Sequence, residues 1–436
     1  MLKVAFYTLG CKVNQYETEA MEEMFERKGY EIVGEDEIAD IYVINTCTVT
    51  NLSERKSRQF ISRAKKKNRD ALIAVVGCYP QVAPEEVAKI EGVDVIVGTT
   101  DRNKIVELCE KAIANKEKIN VVRNIRTQKE FESINIKEVK SKTRAYIKIQ
   151  DGCNQFCSYC IIPYARGPIR SRDLDDIIKE ANNLADAGFK EIVLTGIHIA
   201  SYGKDKRDIS LIDVLEEVGK IDKIQRIRLS SIEPTLINRE FMERVVKIGK
   251  VCDHFHLSLQ SGSPTVLKRM NRKYTPQQYK EIVNIIRDFM PNAGITTDII
   301  VGFPGETEEE FNETYNFVRE IGFSRIHVFK YSPRRGTPAA KFENQVDGNV
   351  KNIRSDKLIS LGEELMKEFH LKFIGSTLSV LFEEKSKKDK DYMEGYTTNY
   401  IRVKAKKDLQ LIGEIVDVRI KEAKDDYLIG EVICNG

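Results

Sequence analysis

Three cysteines in one short segment constrain this chain more than any other feature of its sequence. Cys153, Cys157 and Cys160 stand in the run Asp-Gly-Cys-Asn-Gln-Phe-Cys-Ser-Tyr-Cys, which begins at Asp151. Three thiolates at this spacing can bind three irons of an iron–sulfur cube, whereas most protein-bound cubes have four cysteine ligands. The fourth iron is then an open position, where chemistry takes place. A zinc knuckle or a disulfide pair is the alternative, but zinc sites usually join two Cys or Cys/His halves, and no second half lies nearby.

The composition indicates an intracellular enzyme. A chain of 436 residues is long enough for two or three domains. Nine cysteines, an odd number, favour reduced thiols over a disulfide framework. The start from Met1 to Tyr7 has a strand pattern and no signal-peptide core, and no apolar run is long enough to span a bilayer. We therefore expect a cytoplasmic protein with no membrane partner, in which local basic clusters rather than the net charge of +3 contact any nucleic acid.

Three further cysteines, Cys11, Cys47 and Cys78, each follow a predicted strand. These strands are Val4 to Leu9, Ile41 to Asn45 and Leu72 to Val76. Helical patterns from Gln15 to Lys28 and from Ser53 to Lys67 separate them, which predicts a parallel sheet. The carboxyl ends of parallel strands share one edge, where ligands bind. The three thiols should therefore converge and hold a second three-ligand cluster; three unrelated buried cysteines are the alternative.

The middle of the chain predicts a partial barrel of six strand–helix units. Its strands are Ala145 to Gln150, Glu191 to Thr195, Arg226 to Ser230, His254 to Gln260, Ile295 to Gly302 and Arg325 to Ser332. Chemistry in such barrels takes place at the carboxyl ends of the strands. The Cys153 segment follows the first strand, as this rule requires.

Short strands with charged or Gly-containing turns end the chain and predict a small antiparallel barrel, a type that binds oligonucleotides. They are Thr377 to Glu383, Tyr392 to Thr397, Tyr400 to Val403, Gly413 to Ile420 and Tyr427 to Ile433. Basic residues that could contact phosphate form three groups: Lys385 to Lys390, Arg55 to Arg69 on one helix, and Arg166, Arg170 and Arg172 after the cysteine segment. A solvated surface is the alternative for the first two groups.

The Cys153 segment resembles the radical S-adenosylmethionine (SAM) enzymes, in which an aromatic residue, here Tyr159, precedes the third cysteine. The resemblance implies that the open iron binds SAM and that the reduced cluster cleaves SAM to a 5′-deoxyadenosyl radical. It also places Tyr159 near the SAM adenine and Gly196, after the second barrel strand, near the SAM amino group.

Three N-terminal motifs extend the resemblance to the methylthiotransferases. They are Thr8 to Glu17, Asn45 to Val49 and Gly77 to Gln81. The first motif differs between subfamilies: Tyr-Gly-Cys-Gln-Met-Asn is typical of enzymes acting on isopentenyladenosine in tRNA, and Leu-Gly-Cys-Pro-Lys-Asn of enzymes modifying ribosomal protein S12. Here Leu-Gly-Cys-Lys-Val-Asn-Gln-Tyr-Glu is similar to the subfamily that acts on N6-threonylcarbamoyladenosine in tRNA.

The family resemblance implies methylthiolation of C2 of N6-threonylcarbamoyladenosine at position 37 of tRNA, next to the anticodon. It implies SAM and two 4Fe-4S clusters with three ligands each: a catalytic cluster on Cys153, Cys157 and Cys160, and an auxiliary, sulfur-supplying cluster on Cys11, Cys47 and Cys78. The implied partners are tRNA, an electron donor of the flavodoxin or ferredoxin type, and a sulfur donor. Modification of isopentenyladenosine or of ribosomal protein S12 is an alternative. A two-cluster electron-transfer protein is a more remote one, since carriers usually shield closed clusters.

The implied fold class is α/β with three domains. Residues 1–122 form the N-terminal open parallel sheet with flanking helices, which holds the auxiliary cluster, and 123–138 form a linker. Residues 139–370 form the central partial (β/α)6 radical SAM barrel, and 371–436 form the small antiparallel TRAM β-barrel, which binds RNA.

Alternation along the strand predicted from His254 to Gln260 places His254, His256, Ser258 and Gln260 on one face. A polar face inside a barrel is costly unless it meets a polar ligand, so His256 and Gln260 are candidate SAM contacts. A polar network among the strands, or a face turned to solvent, is the alternative.

The other histidines form no spaced pair, so metal binding by His198, His327 and His370 is not expected. The remaining cysteines are expected to be small buried hydrophobic residues; they are Cys109, Cys252 and Cys434.

Overall fold

The computed structural model describes residues 1–49, 51–134, 136, 143–387 and 389–433, and its N-terminal part is an open parallel sheet. The strand order is β2-β1-β3-β4-β5-β6. The strands are β1 Lys3–Thr8, β2 Glu31–Val33, β3 Ile41–Thr46, β4 Leu72–Gly77, β5 Val95–Val97 and β6 Ile119–Asn120. The helices are α1 Lys12–Arg27, α2 Asn51–Lys67, α3 Cys78–Val82, α4 Pro84–Ala88 and α5 Ile105–Asn115. Helices cover both faces of the sheet, so its central strands β3 and β4 are buried along their whole length.

The central part is a curved sheet of parallel strands with helices on its convex side. One section has the order β10-β9-β7-β8 and the other β11-β12-β13, and bridges from Ile227 to Val251 and from Ile232 to Leu257 join them. The strands are β7 Arg144–Asp151, β8 Arg170–Ser171, β9 Glu191–Gly196, β10 Arg226–Leu229, β11 His254–His256, β12 Gly294–Val301 and β13 Arg325–Lys330. The helices are α6 Ile162–Arg166, α7 Leu174–Asp186, α8 Leu211–Gly219, α9 Arg239–Ile248, α10 Pro264–Arg269, α11 Pro276–Phe289, α12 Glu308–Ile321 and α13 Gly348–Leu371. Only the short β8 pairs antiparallel, so the predicted six-strand partial barrel is confirmed.

The C-terminal part is a closed five-stranded barrel in the order β14-β15-β16-β18-β17. Its strands are β14 Thr377–Lys385, β15 Tyr392–Thr397, β16 Arg402–Lys406, β17 Ile415–Ala423 and β18 Leu428–Val432. The pairing is antiparallel except between β16 and β18, which are parallel. A small apolar core fills the barrel, and Phe369 from α13 packs against it.

Two predicted strands are shorter in the structure for local reasons. The β11 ladder ends at His256, and the hydroxyl of Tyr274 donates to the carbonyls of Ser258 and Leu259 instead. In the last barrel, β16 begins at Arg402 because Tyr400 has φ +68°, a turn conformation that a strand does not allow.

The predicted linker contacts both neighbouring parts where the structure describes it. Glu132 accepts from the Arg102 side chain at 2.6 Å, and Ile125 packs so closely on Gly167 that a Cβ there would lie 2.5 Å from the Ile125 carbonyl oxygen. The rest of the linker, including 137–138, lies outside the described residues, as do Lys388 of the basic loop and Cys434. The domain limits therefore stay predictions. Cys109 and Cys252 are buried, as expected.

The longest described helix, α13, belongs to the sixth strand–helix unit, a helix that the sequence predicted without bounds. It packs on β12 and β13 and leads directly into the last barrel. None of the helices within the described ranges has both the length and the apolar character that crossing a membrane requires.

Candidate active site between two groups of three cysteines

The cysteines of the N-terminal sheet lie at its carboxyl edge. Cys11 precedes the first residue of α1, Cys47 directly follows β3, and Cys78 begins α3 directly after β4. Gly77 allows the last of these turns, since it has φ +100° and a Cβ would lie 2.6 Å from Oδ1 of Asn45. The fold thus brings to one edge three cysteines that are far apart in sequence.

The three thiols are close enough to influence one another. Burial, opposed by the charge of Arg166 and reinforced by the nearby Cys47 and Cys11, raises the pKa of Cys78 to about 12. Burial likewise raises the pKa of Cys47, with a contribution from Cys11. The backbone N–H of Val49 lies 3.4 Å from Sγ of Cys47. We call Cys11, Cys47 and Cys78 the N-terminal trio.

The second group, Cys153, Cys157 and Cys160, lies in the loop after β7, and we call it the barrel trio. The loop begins at Gly152, where φ is +75° and a Cβ would lie 1.8 Å from the carbonyl oxygen of Pro168. Only glycine fits this position. Burial raises the pKa of Cys153 to about 11 and that of Cys160 to about 12, and the neighbouring thiols of the trio contribute.

Each trio has an arginine against one of its sulfurs. Arg166 Nε lies 3.3 Å from Sγ of Cys78, and Arg272 Nη1 lies 3.3 Å from Sγ of Cys157. Such contacts stabilise thiolates, which are the form that binds iron. Amide and guanidinium donors to sulfur also tune iron–sulfur clusters.

The donor set of each trio fits an iron–sulfur cube. Among the described residues, no group of three or more His, Cys, Asp or Glu side chains could hold a metal ion. The ligands of a cube bind different irons, so they stand further apart than the ligands of one ion. Buried thiols with raised pKa values need a cationic metal to become thiolates, and each trio contains two of them: Cys47 and Cys78 in the first, Cys153 and Cys160 in the second.

Unpartnered polar atoms lie near the barrel trio. Within the described parts of the chain, Nε2 of His198 and Oγ of Ser230 are buried without a hydrogen bond, although Oε2 of Glu233 lies 3.7 Å from the His198 nitrogen. They follow β9 and β10, and Glu233 nearby binds Arg272 at 2.7 Å. Buried polar atoms at the carboxyl ends of barrel strands fit a polar ligand such as SAM. Sequence reasoning missed these groups, because neither belongs to a spaced motif.

The sequence-predicted SAM contacts are spread around the barrel. Tyr159 stands between Cys157 and Cys160 in the loop of the barrel trio. Burial raises its pKa, and the charges of Arg272 and Cys157 also act on it. Gly196 ends β9, where a Cβ would lie 2.9 Å from the Gln150 carbonyl oxygen. Gln260 stands beside β12 with φ +69°, and its backbone N–H donates to the Asp298 carbonyl at 2.9 Å.

The two histidines of β11 belong to a polar network among the strands. Nδ1 of His256 lies 2.9 Å from Oγ1 of Thr296, and its Nε2 lies 3.3 Å from Asp298. His254 also contacts Thr296, and its ring stacks on Tyr400 of the C-terminal barrel at 4.7 Å. These contacts form a polar network among the strands, which is the alternative to SAM binding given above. SAM binding by His256 therefore stays a prediction.

A buried cluster of charges joins the N-terminal sheet to the barrel. Glu17 of α1 lies 2.5 Å from Arg166, 2.5 Å from Arg102 and 2.8 Å from Lys148. Burial raises the pKa of Glu17, but the three cations oppose it and hold the pKa well below its usual range. The pKa of Asp151, which lies 2.6 Å from Lys148, is likewise lowered by neighbouring cations. We call these five residues the interdomain charge cluster.

The prediction that Arg166, Arg170 and Arg172 hold substrate phosphates is wrong. Arg170 lies 3.6 Å from Asp151 and donates to the Arg166 carbonyl at 2.9 Å, and Arg172 is paired with Glu180. All three arginines are at most 2% exposed, so no phosphate can reach them. The three arginines pair with buried carboxylates instead, and no local pattern in the sequence indicates that pairing.

The basic helix α2 keeps much of its charge at the surface. Arg55, Lys56 and Lys66 are exposed, whereas Arg63 pairs with Asp36 at 2.6 Å. Arg58 is also exposed, although it contacts a tyrosine hydroxyl. This surface is therefore available to a polyanion.

A partial parallel barrel with a three-cysteine loop after its first strand defines a radical SAM enzyme. Residues 147–318 match the radical SAM superfamily, residues 3–98 match a family described as uncharacterized (UPF0004), and residues 371–433 match the TRAM domain. The chain is 48% identical over 421 residues to the threonylcarbamoyladenosine tRNA methylthiotransferase MtaB of Bacillus subtilis, covering 96% of this chain and 93% of that one. It is 42% identical to MtaB of Aquifex aeolicus, covering 96% and 100%. The chain belongs to the radical SAM methylthiotransferases and, within them, to the group of the threonylcarbamoyladenosine enzymes. Membership implies SAM and a 4Fe-4S cluster.

More distant relatives agree with the fold. The chain is 39% identical to the tRNA-2-methylthio-N(6)-dimethylallyladenosine synthase of Bacillus subtilis, covering 94% of this chain and 82% of that one. Among solved structures, the radical SAM methyltransferase TsrM from Kitasatospora setae superposes with a TM-score of 0.59 at 15% identity, over 78% of this chain and 77% of that one. The structural likeness shows the fold alone.

Proposed function

We propose that this protein methylthiolates C2 of N6-threonylcarbamoyladenosine at position 37 of tRNA, giving 2-methylthio-N6-threonylcarbamoyladenosine. The identity of 48% with an MtaB enzyme along nearly the whole chain carries the proposal. The first motif, from Leu9 to Glu17, supports it, because the motif is of the threonylcarbamoyladenosine type and its last residue lies in the interdomain charge cluster.

In this proposal each trio holds one 4Fe-4S cluster. When bound, the two clusters and SAM supply the radical that activates the C2–H bond and the sulfur and methyl group of the product. The chain positions the two sites: the interdomain charge cluster fixes α1, which follows Cys11, against β7, which precedes Cys153. Tyr159, Gly196, His256 and Gln260 are proposed to line the SAM site.

The proposal also assigns partners. The exposed cations of α2 and the C-terminal barrel are proposed to contact the tRNA backbone. A flavodoxin- or ferredoxin-type protein would supply electrons, and a separate donor would replace the sulfur used in each turnover. Because the proposed substrate is cytoplasmic tRNA, the enzyme would act in the cytoplasm.

The decisive test is nucleoside mass spectrometry of tRNA from cells with and without this gene. Loss of the methylthio nucleoside, with accumulation of N6-threonylcarbamoyladenosine, is the expected result. Loss from isopentenyladenosine or ribosomal protein S12 instead would overturn the substrate but not the reaction. An electron carrier would leave every nucleoside unchanged and would not cleave SAM when reduced.

The two trios can be tested separately in the purified protein. Replacing Cys11, Cys47 and Cys78 together with Ala should remove half of the bound iron, retain SAM cleavage and abolish methylthiolation. Replacing the barrel trio should also remove half of the iron but abolish SAM cleavage. Cys109→Ala is the matched control, since this thiol lies on α5 and is buried against the same sheet; it should retain all iron.

A further inference from the structure

Lys12 extends from the first residue of α1, directly after Cys11. Helix α1 packs on β7 and β9. Ala145, Ile147 and Ile149 of β7 pack into the core beneath the outer helices, so the alternate residues face the concave side of the barrel. Lys148 is one of these residues, and its bond to Glu17 shows that α1 lies on that concave side. Lys12 therefore stands on the concave side of the barrel, next to Cys11, a proposed ligand of the auxiliary cluster.

The lower part of the barrel around Lys12 has an excess of positive charge. The charges of Arg144, Arg228 and Glu191 act on the Lys12 ammonium, as does the Tyr400 hydroxyl. Arg228 binds Glu191 at 2.7 Å.

The neighbouring cations are already paired, whereas Lys12 is not. Arg144 binds Glu383 at 2.6 Å, and Glu191, the carboxylate whose charge acts on Lys12, is occupied by Arg228. Lys12 is half-buried and makes no hydrogen bond or ion pair with any residue in the described ranges. The first turn of α1 also has no acidic residue, so nothing there offsets the positive end of its dipole. An anion is the ligand that this position would accept.

We propose that Lys12 binds the carboxylate of the threonyl group on the substrate adenine and selects this substrate over isopentenyladenosine. This inference rests on the proposed function. The threonylcarbamoyl group ends in a carboxylate, whereas the isopentenyl group is a neutral hydrocarbon. In the adenine ring N1 separates C2 from C6, which bears the modified nitrogen, so a lysine beside Cys11 can reach that substituent while C2 faces the auxiliary cluster.

The subfamily motifs differ at this position. The position of Lys12 in Leu-Gly-Cys-Lys-Val-Asn is Gln in the isopentenyl-type motif and Pro in the type that modifies ribosomal protein S12. Of the three motifs, only that of the threonylcarbamoyladenosine type has a cation at this position. A tRNA phosphate is the other anion that could meet this ammonium, and the substrate pair described below separates the two.

The test uses the reconstituted full-length enzyme and two anticodon stem-loops, one with N6-threonylcarbamoyladenosine and one with its neutral methyl ester. Lys12→Gln introduces the isopentenyl-type residue, Lys12→Arg keeps the charge, and Lys111→Gln controls for an exposed lysine on a distant helix. The kcat/KM of methylthiolation and the Kd of each stem-loop without SAM are measured. Iron content and SAM cleavage are measured in parallel.

We expect the wild type and Lys111→Gln to prefer the acid over the ester by about 10- to 100-fold, as for one charge-assisted hydrogen bond. Lys12→Gln should lose this preference in both kcat/KM and Kd, because its values for the acid stem-loop worsen while those for the ester stay the same. Iron content and SAM cleavage should be unchanged. Lys12→Arg should restore most of it. Equal losses on acid and ester would overturn the proposal, since a phosphate contact or a structural defect affects both.

The failure of the inference differs from the failure of the proposed function. A wild type that methylthiolates both stem-loops equally refutes carboxylate recognition but keeps the reaction. A wild type that acts only on an isopentenyladenosine stem-loop refutes the proposed substrate, and the role of Lys12 with it.

Discussion

Arg166 Nε donates to Sγ of Cys78 at 3.3 Å, across the boundary between the barrel and the N-terminal sheet. Arg166 ends α6, which follows the loop of the barrel trio, whereas Cys78 belongs to the N-terminal trio. The same guanidinium binds Glu17 at 2.5 Å and Asn14 at 2.8 Å. One side chain thus links the two candidate cluster sites, and their relative position depends on it.

Arg166→Met should destabilise the protein by about 3 kcal/mol, because removing one partner of a buried ion pair leaves a buried charge less compensated. Lys148 and Arg102 still contact Glu17, which keeps the loss at the lower end of the usual range. Urea unfolding monitored by circular dichroism measures the change. Arg335→Met is the control, since Arg335 is 95% exposed, and it should change stability little. Equal effects of the two variants would contradict a structural role for Arg166.

The interdomain charge cluster should make stability depend on pH in the acid range. The pKa of Glu17 in the folded protein lies below its ordinary value of 4.5, so the folded state binds fewer protons than the unfolded state. The stabilisation is therefore fully present above about pH 5 and is lost as the pH falls below the ordinary pKa. Unfolding of the iron-free full chain between pH 7 and pH 3 measures this dependence.

Glu17→Gln should lower the free energy of unfolding at pH 7 and flatten its decline in acid. The exposed Glu31→Gln variant should keep the wild-type curve. A Glu17→Gln curve parallel to that of the wild type would show that other carboxylates cause the acid sensitivity.

The exposed cations of α2 should contribute to tRNA affinity. Replacing Arg55, Lys56 and Lys66 with Gln should weaken tRNA binding and reduce the slope of log Kd against log salt, by about 0.7–0.9 for each lost phosphate contact. Fluorescence anisotropy with labelled tRNA at several salt concentrations measures both. The same number of exposed lysines on and after α5 serves as the control: Lys111, Lys116 and Lys118. A control that reduces the slope equally would indicate nonspecific attraction.

Tyr400 should stabilise the interface between the C-terminal barrel and the central barrel. Its ring stacks on His254 at 4.7 Å and lies 4.8 Å from the guanidinium of Arg228. Tyr400→Ala should cost about 1–3 kcal/mol through loss of stacking and of the cation–π contact. Tyr400→Phe keeps the ring and should retain most of the stability. Thermal unfolding compares the two, and equal losses would mean that the hydroxyl group, rather than the ring, makes the contact.

Local sequence patterns predicted most of the fold. Each predicted N-terminal and barrel strand appears within two residues of its expected start, because period-two burial and strand-to-helix alternation are local properties. Turns were harder to predict: Tyr400 has a positive φ, so the strand expected from Tyr400 begins only at Arg402. A helix was expected after the last barrel strand, but the length of α13 was not predicted; it packs on the strands β12 and β13.

The sequence alone determined the chemistry of this protein: two trios of cysteines, one closely spaced and one repeated after successive strands, and a first motif with Lys12. Spacing and strand-end position are local properties of the chain, so the amino-acid order by itself indicates both trios. Only the tertiary structure decided which charges meet. Arg166, Arg170 and Arg172 looked like phosphate ligands, but Glu17, Asp151 and Glu180 lie beside them in the folded chain. A charge becomes a buried structural contact or a free binding group according to its neighbours in space, and local sequence does not specify those neighbours.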